Sequence, residues 1–179
     1  MKSRILATVV GGVILFIWGF ISWAVLPWHS DVANKFSNEE FVAEFLKANA
    51  PRPGIYYIPF SEEDVKLGKT SAFMSIVPDG FDMNMSKKMA IGMLGQIASA
   101  LIVVILAGIM IGNSNQVGYG QCVKYIAMLG FAIGFIGHFP YWNWFEFSTP
   151  YVAVIIADTV IAWLLAGLAM SKFLISGRS

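Results

Sequence analysis

Four long apolar runs restrict the fold of this chain more than any other feature of the sequence. They cover residues 5–26, 89–112, 123–139 and 151–170. An α-helix needs about 20 predominantly apolar residues to cross the hydrocarbon core of a bilayer. Only 13% of the residues are charged, whereas a soluble domain typically has about 25%. The sequence therefore predicts an all-α membrane protein, a four-transmembrane-helix antiparallel bundle. A polar turn at 112–116 and a short aromatic connection at 140–150 would link its last three helices.

The first apolar run is predicted to be a retained helix rather than a cleaved signal peptide. It has 22 residues, follows Lys2 and Arg4, and includes Trp18 and Trp23. The apolar region of a signal peptide is shorter, about 7–15 residues, and ends at a small-residue cleavage site. We therefore expect residues 1–26 to form transmembrane helix 1.

A polar segment, residues 27–88, separates the first two runs and carries nine of the eleven acidic residues. Ser37 and Glu40 match a capping box, in which the two side chains satisfy each other's free backbone amides. Apolar residues at helical spacing follow, so a short amphipathic helix is expected over 38–49. Residues 55–59 and 71–77 are strand-like. The segment is predicted to be a small extracytoplasmic α+β insertion, and residues 89–179 to hold helices 2–4.

Basic residues near the helix ends predict the orientation of the chain. Four helices place both termini on one side, and that side holds Lys2, Arg4, Lys124, Lys172 and Arg178. Cytoplasmic loops are enriched in Lys and Arg, and both membrane interfaces in Trp and Tyr. Both termini are therefore predicted to be cytoplasmic. The outer interface is expected to contain the aromatic residues Trp28, Tyr141, Trp142, Trp144 and Tyr151.

Small or polar residues mark one face of each apolar run, at steps of three, four or seven residues. These faces are Thr8, Gly12, Gly19 and Ser22; Gly92, Gln96 and Ser99; Ala127, Gly130, Gly134 and Gly137; and Asp158, Ala162, Ala166 and Ala169. Small residues let helices approach closely in lipid. The faces predict the helix contacts of a packed bundle without a cavity.

Asp158 is the most informative single residue, because it lies seven residues into the last run, about 10 Å deep at about 1.5 Å per residue. A carboxylate at such a depth is costly and points to a function by default. At similar depth on the other helices, Gln96, Ser22 and Ser99 are its expected partners in a buried polar cluster. Three roles stay open: fixing helix register, relaying protons or cations, and contacting a partner subunit or ligand.

Two histidines and two methionines near the outer surface give a metal hypothesis. Imidazole and thioether ligands together suit copper, and His29, His138 and Met83 or Met85 could supply them. Their spacing specifies no site, and methionines commonly serve in packing. The leading expectation is therefore a protein without a cofactor, with copper binding as an alternative.

The sequence contains none of the catalytic or nucleotide-binding motifs that would indicate an enzyme. Walker, H-E-x-x-H, C-x-x-C, G-x-S-x-G and dinucleotide fingerprints are all missing from it. Its single cysteine, Cys122, cannot form an internal disulfide, and a net charge of +1 gives no reason to expect nucleic acid. Enzyme activity is not expected.

Three aromatic segments together carry a family resemblance over nearly the whole chain. They are Trp18 to Ser22 with Leu26-Pro27-Trp28, then Pro53 to Pro59, then Tyr141 to Trp144 ahead of the helix with Asp158. With them the chain resembles a group of bacterial four-helix inner-membrane proteins without an assigned activity. The resemblance implies a bacterial inner-membrane location and the same topology, and it adds no catalytic residues.

These observations favour a non-enzymatic membrane protein. The leading hypothesis is an accessory or scaffold subunit of a larger bacterial membrane complex, such as an energy-transducing one. The alternatives are a small transporter or proton- or cation-conducting protein that uses Asp158, and an extracytoplasmic copper-binding protein. The expected partners are the lipid bilayer and either partner subunits or further copies of the chain.

Overall fold

The computed structural model describes residues 1–64, 66, 68–112 and 117–176, and it is mostly helical. In chain order its elements are α1 (Lys2–Phe20), a π-helical turn (Ile21–Val25), α2 (Trp28–Asp31), α3 (Glu39–Asn49), β1 (Gly54–Ile58), a 3-10 turn (Glu62–Asp64), β2 (Ala72–Ile76), α4 (Met85–Gly112), α5 (Tyr119–Phe145) and α6 (Thr149–Ser176). The chain divides into a helical unit, Met1–Ala33 with Met85–Ser179, and a second unit, Asn34–Asn84.

Four helices of the helical unit are long and apolar enough to cross a membrane, as the four apolar runs predict. They span Lys2–Val25, Met85–Ile111, Tyr119–Phe145 and Thr149–Ser176. Each helix begins before the apolar run that predicts it, and the last two also end six residues beyond theirs, because polar and aromatic residues there continue the helical backbone. The predicted polar turn at 112–116 falls largely on residues 113–116, outside the described part of the chain.

The predicted aromatic connection over 140–150 is wrong, because α5 continues through Pro140 to Phe145. Proline in a helix removes one backbone hydrogen bond. Here the helix carries on past that position and ends at Glu146, which adopts a left-handed conformation with φ of 54°. The N–H groups of Glu146 and Phe147 both donate to the carbonyl of Tyr141. The connection to α6 is therefore shorter than predicted.

The four long helices pack in the order α4, α1, α6, α5. Helix α1 contacts both α4 and α6, and α6 contacts α5, whereas α4 makes few contacts with α5 or α6. The buried core lies where they meet and includes Ala7, Val104, Ile126, Trp163 and Met170. On α4 the buried residues fall between Ala100 and Ile111, so the first half of α4 contributes little to this core.

Glycines allow the closest helix contacts. A Cβ atom on Gly11 would lie 2.5 Å from the Met170 sulfur, and one on Gly12 would lie 2.6 Å from the Ile97 Cα. A Cβ on Gly130 would meet the Trp163 side chain. Gly12 and Gly130 therefore lie at helix contacts, as their small-residue faces predict.

Other members of the predicted faces lie away from the contacts. Within the described residues, no atom comes within 4 Å of a Cβ position at Gly19 or Gly137, and Gly92 approaches only the Phe16 ring, at 3.7 Å. On α4 the residue that closely approaches Gly12 is Ile97, which is not a member of the predicted face.

The second unit contains α3 and an antiparallel ribbon of β1 and β2. The ribbon pairs Gly54 with Ile76 and Ile58 with Ala72, within a residue of the predicted strands. The cap of α3 is Asn38, whose Oδ1 accepts from the Phe41 N–H at 3.0 Å, and not the predicted Ser37. Asn caps a helix as well as Ser does, so the sequence pattern could not decide between Ser37 and Asn38 as the cap.

Candidate functional site: a polar cluster around Asp158

Asp158 connects three elements of the helical unit. Its side chain is 15% exposed and lies in the first half of α6. Its Oδ1 accepts a hydrogen bond from the Trp18 indole Nε1 at 2.6 Å, and its Oδ2 lies 3.4 Å from Nε2 of His29. The carboxylate thus contacts α1 through Trp18 and α2 through His29.

The chain reverses after α1, and this reversal brings His29 to Asp158. The π-helical turn ends at Leu26, whose N–H donates to the Ile21 carbonyl at 3.0 Å. Leu26 is extended, as the residue before a proline prefers. Pro27 then starts α2, with the Asp31 N–H donating to its carbonyl at 2.9 Å. Single π-helical turns often occur at functional sites, and this one lets α2 fold back onto α6.

Ser22 and Trp28 complete the arrangement. Ser22 is fully buried, and its Oγ lies 3.0 Å from Nε2 of His29. The Trp28 Nε1 donates to both the Ser22 carbonyl, at 3.2 Å, and the Ser22 Oγ, at 3.1 Å. We call Trp18, Ser22, Trp28, His29 and Asp158 the Asp158 cluster.

Aromatic rings enclose the histidine of this cluster. The Trp23 ring stacks on His29 at 3.8 Å between ring centres and 8° between planes. Trp28 meets the same imidazole edge-on at 5.4 Å and meets Trp18 at 6.3 Å. Only 6% of His29 is exposed. The imidazole is therefore held between two indoles, with one nitrogen directed at Asp158.

The hydrogen-bond network assigns a proton to Nε2 of His29. That nitrogen faces two oxygens, Ser22 Oγ and Asp158 Oδ2, and the Asp158 carboxylate accepts only. A proton on Nε2 is shared between the two oxygens, 3.0 and 3.4 Å from the nitrogen, whereas a bare Nε2 would place its lone pair against the carboxylate. This tautomer leaves Nδ1 as an acceptor, and Nδ1 is buried without a partner among the described residues.

The three residue types of a hydrolase triad are present, but their arrangement differs from it. In a Ser-His-Asp triad the carboxylate contacts Nδ1 and the serine contacts Nε2, so that the imidazole can pass a proton between them. Here Ser22 and Asp158 both contact Nε2. The arrangement holds a histidine in place and does not activate Ser22 as a nucleophile.

Of the predicted polar cluster, the structure brings Ser22 and Asp158 together through His29. Gln96 is half-buried on α4 and is not a hydrogen-bond partner of Asp158 in the described part of the chain. The Ser99 hydroxyl donates to the Gly95 carbonyl of its own helix at 2.9 Å. Both residues belong to α4, which packs on α1 rather than on α6.

Sequence reasoning missed the two side chains that contact Asp158. Trp18 carried a usable signal, because a buried indole N–H usually finds a hydrogen-bond acceptor and Asp158 is the only carboxylate within the four apolar runs. His29 had no such signal. Its position depends on the π-helical turn, which no local pattern in the sequence indicates.

The residues of the metal hypothesis lie in different surroundings. His29 contacts Ser22 and Asp158, while Nδ1 of His138 lies 2.9 Å from the Gly134 carbonyl of its own helix. Met85, at the start of α4, is 61% exposed, and Met83, in the second unit, is 82% exposed. Among the described residues, no three His, Cys, Asp or Glu side chains are grouped as metal ligands.

The aromatic residues predicted for the outer interface have two different environments. Trp28 belongs to the Asp158 cluster and is half-buried. Tyr141, Trp142 and Trp144 lie at the end of α5 and are 39%, 42% and 77% exposed. The Trp142 Nε1 donates to Thr149 Oγ1 at the start of α6, at 3.0 Å. Tyr141, Trp142 and Trp144 therefore offer surface at this end of α5, whereas Trp28 has an internal role.

Comparisons with protein-family models, with curated proteins and with solved structures found no match for this chain. The resemblance to bacterial four-helix inner-membrane proteins stays a prediction from the aromatic segments.

Proposed function

We propose that this chain is a multi-pass protein of the bacterial inner membrane and serves there as a non-enzymatic accessory or scaffold subunit of a larger complex. The four long apolar helices support insertion in a membrane. Their contacts support an antiparallel arrangement of α1 and α6, because Gly11 faces Met170 whereas Trp18, further along α1, bonds to Asp158, earlier in α6. The contacts of α5 and α6 support the same arrangement, because Gly130 faces Trp163 whereas Gly134 faces Thr159.

The observation that carries the scaffold role is the mutual pairing within the Asp158 cluster. The Trp18 indole donates to Asp158, the Trp28 indole donates to Ser22, and Nε2 of His29 lies between Ser22 and Asp158. Apart from Nδ1 of His29, which is buried without a partner among the described residues, the polar groups of the cluster pair with one another. Such pairing fixes geometry and leaves little capacity for a substrate. The cluster fastens the end of α1 and the whole of α2 to α6.

A row of aromatic rings on α5 supports the presence of a partner. Phe131 stacks on Phe135 and Phe135 on Phe139, with ring centres 5.7 and 5.0 Å apart, and Trp142 lies tilted to Phe139 at 5.6 Å. All four are at least 39% exposed. We propose that this aromatic row of α5 contacts another subunit.

The proposal predicts a stoichiometric partner in a gentle detergent extract, identified by mass spectrometry of the full-length protein. Changing Phe131, Phe135 and Phe139 together to leucine should release that partner and keep the fold, since leucine preserves the apolar surface. The matched control is Phe20→Leu, at an exposed position of α1, which should retain it. A chain that purifies alone or only with copies of itself would contradict the scaffold role.

The proposal also predicts the orientation of the chain. The basic residues Lys2, Arg4, Lys124 and Lys172 place both termini in the cytoplasm under the positive-inside rule, and residues 27–88 outside. A reporter enzyme at the C-terminus should read as cytoplasmic, and one inserted within 60–70 as extracytoplasmic. The opposite pair of readings would contradict the orientation and leave the helix contacts unaffected.

Proton or cation conduction is the second candidate, and one observation favours it. His29 and Asp158 form an ionisable pair, and Nδ1 of His29 is buried without a partner among the described residues. An ionisable pair inside a membrane protein is a functional hypothesis by default. Proton flux into vesicles that contain only this chain would favour conduction over the scaffold role.

A further inference from the structure

A groove between α1 and α4 is a feature of the helical unit that the proposed function does not use. Its volume is about 490 Å³ and its walls are mainly apolar, formed by Ile5, Leu101, Val104 and Ile105. It lies where α1 begins and α4 approaches its end, since Arg4 and Gly108 both line it.

Arg4 places a positive charge at this apolar groove. Its guanidinium lies across Gly108, and the Arg4 Cζ would be 3.4 Å from a Cβ at that position. A side chain larger than methyl at residue 108 would therefore displace the guanidinium. Gly108 opens the space that Arg4 occupies.

The guanidinium has no anionic partner among the described residues. The acidic residues of the helical unit are Asp31, Glu146 and Asp158. Asp31 follows α1, Glu146 follows α5, and Asp158 lies early in α6. All three are therefore away from the start of α1. Thr8 donates to the Arg4 carbonyl at 3.0 Å and does not engage the guanidinium.

We propose that this groove binds an anionic phospholipid of the cytoplasmic leaflet, with the phosphate on Arg4 and an acyl chain against Ile5, Leu101 and Ile105. The inference rests on the proposed membrane location and orientation. Basic pockets between helices on the cytoplasmic side are suited to anionic headgroups. The planar guanidinium pairs with phosphate in a bidentate geometry, and the apolar walls match an acyl chain.

The test is native mass spectrometry of the full-length protein in detergent, titrated with phosphatidylglycerol or phosphatidylcholine of identical acyl chains. One phospholipid should be retained, with preference for phosphatidylglycerol. Arg4→Gln should weaken phosphatidylglycerol binding about fivefold, the effect of one basic residue at an anionic surface. It should weaken phosphatidylcholine binding less, because the choline ammonium offsets the charge of that lipid's phosphate. The charge control is Lys172→Gln, an exposed lysine of α6, which should bind phosphatidylglycerol as the parent does.

A second pair of variants tests the groove itself with every charge in place. Gly108→Leu should fill the space under Arg4 and reduce lipid retention at least as much as Arg4→Gln. The matched control is Gly95→Leu on the same helix, where no atom of the described residues lies within 4 Å of the Cβ position. This pair also decides the question if Arg4→Gln fails to fold.

Three results would overturn the lipid site. The first is an equal loss of phosphatidylglycerol binding in Arg4→Gln and Lys172→Gln. The second is equal retention of the two phospholipids by the parent protein. The third is displacement of the lipid by excess inorganic phosphate. A lipid site that fails while a partner still co-purifies would leave the scaffold role standing. A bound lipid on a chain that purifies without a partner would support the lipid site and contradict the scaffold role.

Discussion

Asp158→Leu should lower the free energy of unfolding by about 2–4 kcal/mol, because each buried polar group left without a partner costs about 1–3 kcal/mol. Leucine removes the acceptor of the Trp18 indole and the oxygen facing His29. Thermal or denaturant unfolding in detergent, followed by tryptophan fluorescence, measures the change. Ser99→Ala is the control, since its hydroxyl bonds only within α4, and it should change stability by less than about 0.5 kcal/mol.

Asp158→Asn separates the two candidate functions. The amide oxygen can still accept from Trp18, and the amide N–H can donate to His29 once the imidazole proton moves to Nδ1. The cost should be close to that of one polar contact between membrane helices, about 0.6 kcal/mol. A scaffold would keep its partner in this variant. A proton or cation pathway would lose its flux while the fold is retained.

Gly12→Ala should destabilise the helical unit by forcing two helix backbones apart. The new Cβ would lie 2.6 Å from the Ile97 Cα and 2.9 Å from its backbone nitrogen. Backbone atoms cannot rotate away, so α1 and α4 must separate, and overpacking of this kind costs about 1–3 kcal/mol.

Gly19→Ala, in the same helix, is the matched control for Gly12→Ala. No neighbouring atom of the described residues lies within 4 Å of a Cβ position at Gly19. Alanine in a helix is favoured over glycine by about 0.5–1 kcal/mol. Unfolding measured on both variants should give effects of opposite sign. Equal stability of the two variants would show that the close approach of α1 and α4 at Gly12 is not a constraint.

The four helices could be predicted from the sequence because the apolar content of a segment is a local property. Their ends were less predictable. The apolar run that predicts α5 ends at residue 139, while the helix runs to Phe145. The two strands were found within a residue of their observed bounds, since short apolar segments closed by prolines are also a local signal.

The polar cluster was only partly predictable, because its contacts depend on which helices are neighbours. Counting depth along each helix picked Asp158 and Ser22, which the structure links through His29. The same count suggested Gln96, and it could not show that α1 separates α4 from α6. The position of His29 depends on the π-helical turn and the reversal at Pro27, which are tertiary features.

The hydrogen bond between Trp18 and Asp158 joins residues 140 positions apart in the chain. At about 5–20 residues synthesised per second, α1 leaves the ribosome many seconds before Asp158 is made. During that interval the indole of Trp18 has no access to its acceptor. The fastening of α1 to α6 is thus among the last events of assembly, and a chain truncated before α6 would present the unpaired donors of α1 to the quality-control machinery of the cell.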